Sequence, residues 1–77
     1  MKVVIVDLEW DEPFLLNLPS RPNIGDGIYL QDCKIKCKNL EYIEEIKHSS
    51  RFVVKDIVYG KYQKFNKNRW IIQGELE

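Results

Sequence analysis

Histidine and methionine each occur once in these 77 residues, and cysteine twice. That scarcity narrows the chemistry before any pattern is read. His48 has no second histidine to share a metal, and no periodicity brings a serine, cysteine or carboxylate beside it in a catalytic arrangement. Cys33 and Cys37 invite a metal reading with His48, but they alternate with Lys34, Lys36 and Lys38 as a strand does. Residues four apart on a strand are separated by about 13 Å, whereas a disulfide needs Cα atoms within about 7 Å and zinc–sulfur bonds are near 2.3 Å. A fourth ligand is missing as well. Metal and cofactor are expected to be none, and the two thiols are read as small, buried hydrophobes.

Long apolar runs are also lacking. Val3–Val6 is too short for the core of a secretory signal, and Asp7 and Glu9 interrupt the chain directly after it. No stretch approaches the roughly 20 apolar residues of a membrane span. With two cysteines and no signal, the expectation is a cytoplasmic chain with reduced thiols and no membrane partner. Net charge is absent too, since 12 basic residues balance 12 acidic ones, which argues against a dedicated nucleic-acid binder. The balance is uneven along the chain. Residues 1–32 carry two basic and six acidic side chains, a net −4, and residues 33–77 carry ten and six, a net +4.

The length suits one domain, 1–77. Area scaling gives about 5,000 Å² folded against about 13,000 Å² unfolded, so one core of a dozen large side chains forms. A deep catalytic cleft on an independent scaffold does not fit in that volume, and an enzyme is not expected.

What is present is strand-like. Val4, Val6, Leu8 and Trp10 alternate with Asp7 and Glu9, predicting a strand over 3–10 with its even face inward. Asp11-Glu12-Pro13 breaks it, and Phe14, Leu16 and Leu18 resume the alternation as the return of a hairpin. Pro19, Pro22, Gly25 and Gly27 make an ordered loop. Ile28 and Leu30 open another strand. The phase then flips to Cys33, Ile35 and Cys37, which requires a bulge or tight turn at Gln31-Asp32.

Residues 39–48 change to a helical rhythm, with Asn39 as N-cap, Glu41 in the first turn, and Leu40, Ile43, Ile46 and Lys47 on one side. Phe52–Tyr59 is apolar on both faces and reads as a central strand. Gly60 begins a polar loop, and Trp70, Ile72 and Leu76 share a face of the last strand, with Gly74 marking a bulge or bend. The expected core is Val4, Val6, Leu8, Trp10, Phe14, Leu16, Ile28, Leu30, Val54, Val58, Trp70 and Ile72. Five or six short antiparallel strands with one helix near 39–48 make a mainly β (β-rich α+β) fold, a small partly open barrel.

Two further constellations dissolve on inspection. Glu41, Glu44 and Glu45 form a solvated helix face on which Glu44 can pair with His48. Gly25-Asp26-Gly27 leads into a strand, not into the helix that a phosphate cradle requires. No catalytic residue is assigned. One surface signal remains, in residues 61–70, where Lys61, Lys64, Lys67 and Arg69 interleave with Tyr62, Phe65 and Trp70 without an acid. Cations neutralise phosphates and rings stack on bases, so Lys61, Tyr62, Lys64, Phe65, Lys67 and Arg69 form a candidate binding surface. The plainer reading is a hairpin tip whose rings fold back on the core.

LPSRPNIGDGIYL (Leu18–Leu30), with FVVKDIVYG later in the chain from Phe52, resembles short bacterial and phage-type proteins with the pattern L-P-x-x-P-x-x-G-D-x-I. The resemblance implies a Src-homology-3-like barrel from a mobile element and brings no active site. The expected function is therefore that of a small non-enzymatic interaction or accessory module, working through a loop surface or an exposed strand edge, with another protein as partner. A nucleic-acid-binding barrel using 61–70 is the alternative. A small inhibitor presenting the acidic N-terminal hairpin, Asp11 and Glu12 included, is a further one.

Overall fold

The computed structural model describes residues 1–10, 13–63 and 65–77. They form β1 (Lys2–Asp7), β2 (Phe14–Asn17), β3 (Gly27–Ile28), a 3₁₀ turn (Leu30–Asp32), α1 (Leu40–His48), β4 (Phe52–Tyr62) and β5 (Phe65–Leu76). The fold is mainly β: one five-stranded sheet, ordered β2-β1-β5-β4-β3, is curled into a half barrel and carries one helix. Its accessible surface of 5104 Å² agrees with the area expected from chain length.

The sheet departs from the antiparallel expectation at its centre. β1 and β5 are parallel, with Val4 opposite Ile71 and Ile5 opposite Ile72; β2, β3, the helix and β4 lie between them in the chain and supply the long crossover that a parallel pair requires. The remaining pairs are antiparallel. β1 is thereby flanked on both edges and covered on both faces. Val3 and Ile5 enter the main core with Phe14, Leu16, Ile28, Leu30, Tyr42, Ile46, Phe52, Val54 and Ile72. Val4 and Val6 lie on the opposite face in a second cluster with Ile71, against which Leu15, Tyr62 and Phe65 pack. The expected even face of β1 therefore serves this smaller cluster. Leu8 is 54% exposed because the strand ends at Asp7 and turns, the Trp10 amide donating to the Asp7 carbonyl at 3.2 Å.

β4 is not the central strand; β5 is. β3 covers only the start of β4, so the rest of that strand lies at an edge, and Val58 and Tyr59 are exposed rather than core. The bulge expected near Gly74 is found across the ladder. Gly74 pairs with Val54 and Gln73 with Asp56, leaving Lys55 as the extra residue, which strengthens the local twist and helps the sheet to curl. The loop expected over 61–70 is instead a hairpin arm: β4 runs to Tyr62, β5 begins at Phe65, and Tyr62 pairs with Phe65 across the turn.

The segment after the 3₁₀ turn flips phase as expected, with Leu30 buried and Cys33, Ile35 and Cys37 half-buried against the core. It joins no ladder, so the strand expected there is absent among the described elements. α1 starts where expected. Asn39 Oδ1 accepts from the Glu41 and Tyr42 amides at 3.1 and 3.2 Å. Its buried face is rotated from the expected one, so that Tyr42 and Ile46 enter the core while Leu40 is 77% exposed. The reason is polar. Asp7 is 2% exposed, and its Oδ2 accepts the Tyr42 hydroxyl at 3.0 Å while Oδ1 accepts the Glu9 amide at 2.9 Å. A buried carboxylate requires such partners, and the helix turns to supply one.

Candidate functional site

β2 is the first strand of the sheet, paired on one side only. The Leu18 amide donates to the Met1 carbonyl at 2.8 Å and the Met1 ammonium to the Leu18 carbonyl at 2.6 Å. Antiparallel ladders alternate bonded and non-bonded pairs. Phe14 and Leu16 therefore turn their backbone groups toward β1 at Ile5 and Val3, while Leu15 and Asn17, opposite Val4 and Lys2, turn theirs away. No main-chain partner for those outward groups is found among the described residues.

The outward edge borders a groove of about 770 Å³. Leu15 and Asn17 lie along one side, Phe65 of the hairpin arm reaches one part of it, and residues 32–38 contribute Lys34, Lys36 and Lys38. The lysines are exposed because Cys33, Ile35 and Cys37, their neighbours of opposite phase, pack on the core. Lys2 adds a fourth cation and Asp32 is the single acid among the described lining residues, which together carry a net charge of +3. Among the described residues, none of these lysines is in an ion pair. At the opposite end of the sheet, the Ile57 amide on β4 is taken by Asp56 Oδ1 at 2.9 Å.

Burial, and secondarily the Asp32 charge, raises the Cys33 thiol pKa above its ordinary value. It is held as the thiol, a poor nucleophile and metal ligand. Its Sγ lies 3.5 Å from the Tyr29 carbonyl and Cys37 Sγ lies 4.0 Å from that of Asn39. Glu44 lies between Lys47, at 3.3 Å, and His48, at 3.9 Å, as an exposed helical cluster of the kind expected.

The candidate surface at 61–69 is split between the two faces and the tip of the arm. Lys61 and Lys67 are exposed, Arg69 is half-buried, and Tyr62 and Phe65 are half-buried against the Val4–Val6–Ile71 cluster, the plainer of the two arrangements. Lys64 lies outside the described residues, as do Asp11 and Glu12. Trp70 packs on the main core, with Tyr59 at 5.0 Å and the Arg21 guanidinium at 4.8 Å from its ring. Sequence reasoning saw the Lys34–Lys36–Lys38 alternation but treated it as the wet side of a strand. The order of strands, which makes β2 an edge beside those lysines, has no local signal. No family model, curated protein or solved structure matches the chain. No helix among the described residues is long and apolar enough to cross a membrane.

Proposed function

We propose that this chain is a non-enzymatic interaction module that takes an extended segment of a partner protein onto the edge of β2. One observation carries the reading: the outward N–H and C=O groups of Leu15 and Asn17 border an open groove. An added strand satisfies such groups with main-chain hydrogen bonds, and side-chain pockets beside the edge select its sequence. Among the described residues the lining holds one carboxylate, Asp32, with no second acid beside it, and a thiol, Cys33, kept protonated, which supports binding over turnover.

The test uses a displayed library of random heptapeptides selected on the purified chain. Selected peptides are expected to lose binding to Asn17→Pro, which removes an outward amide from an exposed residue and leaves the β1–β2 bonds intact. Binders indifferent to Asn17→Pro would contradict the edge reading. A nucleic-acid reading through the arm rests on Lys61, Lys67 and Arg69. It expects salt-sensitive binding of single strands that Lys61→Glu with Lys67→Glu abolishes.

A further inference from the structure

The lysine row beside the β2 edge restricts what the groove accepts. Lys34, Lys36 and Lys38 recur every second residue, exposed along the groove and alternating with half-buried Cys33, Ile35 and Cys37. Side chains on one face of a β-strand also recur every second residue, and an added strand would lie about 4.8 Å from β2. Leu15 and Asn17 present two outward amides and two outward carbonyls, enough to engage three to five residues of a peptide. Of that peptide's two faces, one meets the lysines. The other meets Leu15 and Phe65, apolar side chains that line the groove from the second cluster.

Resting on the edge reading above, we infer that the occupant is an extended acidic peptide whose carboxylates fall on alternate residues with apolar residues between them. A net +3 lining whose lysines have no ion-pair partner among the described residues complements such a peptide. A polynucleotide meets the lysines equally well through its phosphates. Its backbone, however, has no N–H and C=O alternating at strand spacing, so it leaves the Leu15 and Asn17 groups unpaired. The peptide is the better match for that reason.

The experiment titrates five synthetic, N-acetylated probes into the full chain at low salt, read by fluorescence anisotropy and by amide shifts in ¹⁵N-labelled protein. They are a heptapeptide of alternating Glu and Val, its alternating Lys and Val counterpart, a block isomer with four Glu before three Val, and the first peptide N-methylated at its valines. A second N-methylated version, at the glutamates, covers the other facing of the strand. Expected is saturable binding of the alternating acidic peptide, weakened about tenfold or more in the Lys and block versions. Lys34→Gln with Lys36→Gln and Lys38→Gln, all exposed positions, is expected to weaken it about tenfold, as three exposed ion pairs would. One of the two N-methylated versions should not bind, and the Leu15 and Asn17 amides should shift most.

Equal binding of the acidic, Lys and block peptides, with N-methylation and Asn17→Pro still blocking it, would overturn the acidic assignment and leave the edge reading standing. Acidic-peptide binding insensitive to both N-methylations and to Asn17→Pro would overturn the edge reading itself. Displacement of the peptide by a single-stranded oligonucleotide that binds more tightly through the same lysines would overturn the assignment in favour of nucleic acid.

Discussion

Tyr42→Phe removes one oxygen from the most enclosed polar contact of the fold. The Tyr42 hydroxyl donates to Asp7 Oδ2 at 3.0 Å, and both residues are almost wholly buried. The ring, 5.6 Å from Trp10 and 5.9 Å from Phe14, stays in place in the variant, so the loss is confined to the hydrogen bond. Bonds to a charged group contribute about 1.5–3 kcal/mol, and the Asp7 oxygen left behind has no water to turn to. Against a total of about 4–11 kcal/mol for a chain of this size, a loss near 2 kcal/mol is severe and lowers Tm by about 8–16 °C. Urea unfolding monitored by tryptophan fluorescence measures it, with Asp7→Asn and the double variant completing a cycle whose coupling should exceed about 1 kcal/mol.

The same contact sets an alkaline limit. Burial first, then the Asp7 charge and hydrogen bond, raise the Tyr42 hydroxyl far above its ordinary pKa. A group whose pKa is higher in the folded than in the unfolded chain stabilises fully below the unfolded value, near 10. Above about pH 10 the unfolded chain loses the proton and the folded chain keeps it, so stability falls as pH rises. Tyr42→Phe should flatten that fall. A Tyr42→Phe variant within about 0.5 kcal/mol of the parent, or with an unchanged alkaline slope, would refute the reasoning.

Two further substitutions probe the frame. Gly74→Ala places a Cβ against the Val53 carbonyl oxygen, a backbone atom that cannot swing aside, and within 2.8 Å of two Phe52 ring carbons; expected is a loss of about 3 kcal/mol or more, or failure to fold, by urea unfolding. Asn39→Ala removes the acceptor of two helix-start amides, and about 1 kcal/mol of stability should go with it, whereas Asn39→Asp should retain most of it.

How much was legible depended on whether a feature is local. The N-cap at Asn39, the flip near Gln31-Asp32 and the inward set Phe14, Leu16, Ile28, Leu30, Val54 and Ile72 arise from propensity and phase over a few residues, and all stand in the fold. β1 misled because alternation shows which residues share a face but not which face meets the larger core. With Val3 through Val6 apolar without interruption, both faces were available. Asp7 looked like a solvent marker and is buried, because Tyr42, 35 residues away, satisfies it. The loop assigned to 61–70 failed for a related reason: a polar hairpin arm and a polar loop share a composition, and only the pairing of Gly60 with Arg69 and Tyr62 with Phe65 separates them. The groove was out of reach for the strongest reason. It exists because strand order leaves β2 at the margin next to Lys34, Lys36 and Lys38, and order is a property of the whole sheet.

The most direct measurement is the amide spectrum of the ¹⁵N-labelled chain with the alternating Glu–Val peptide added. Expected are the largest shifts and the greatest slowing of hydrogen exchange at Leu15 and Asn17, the two amides turned away from β1. Shifts centred on Lys61, Lys67 and Arg69 instead, or none along β2 at saturating peptide, would contradict docking at this edge.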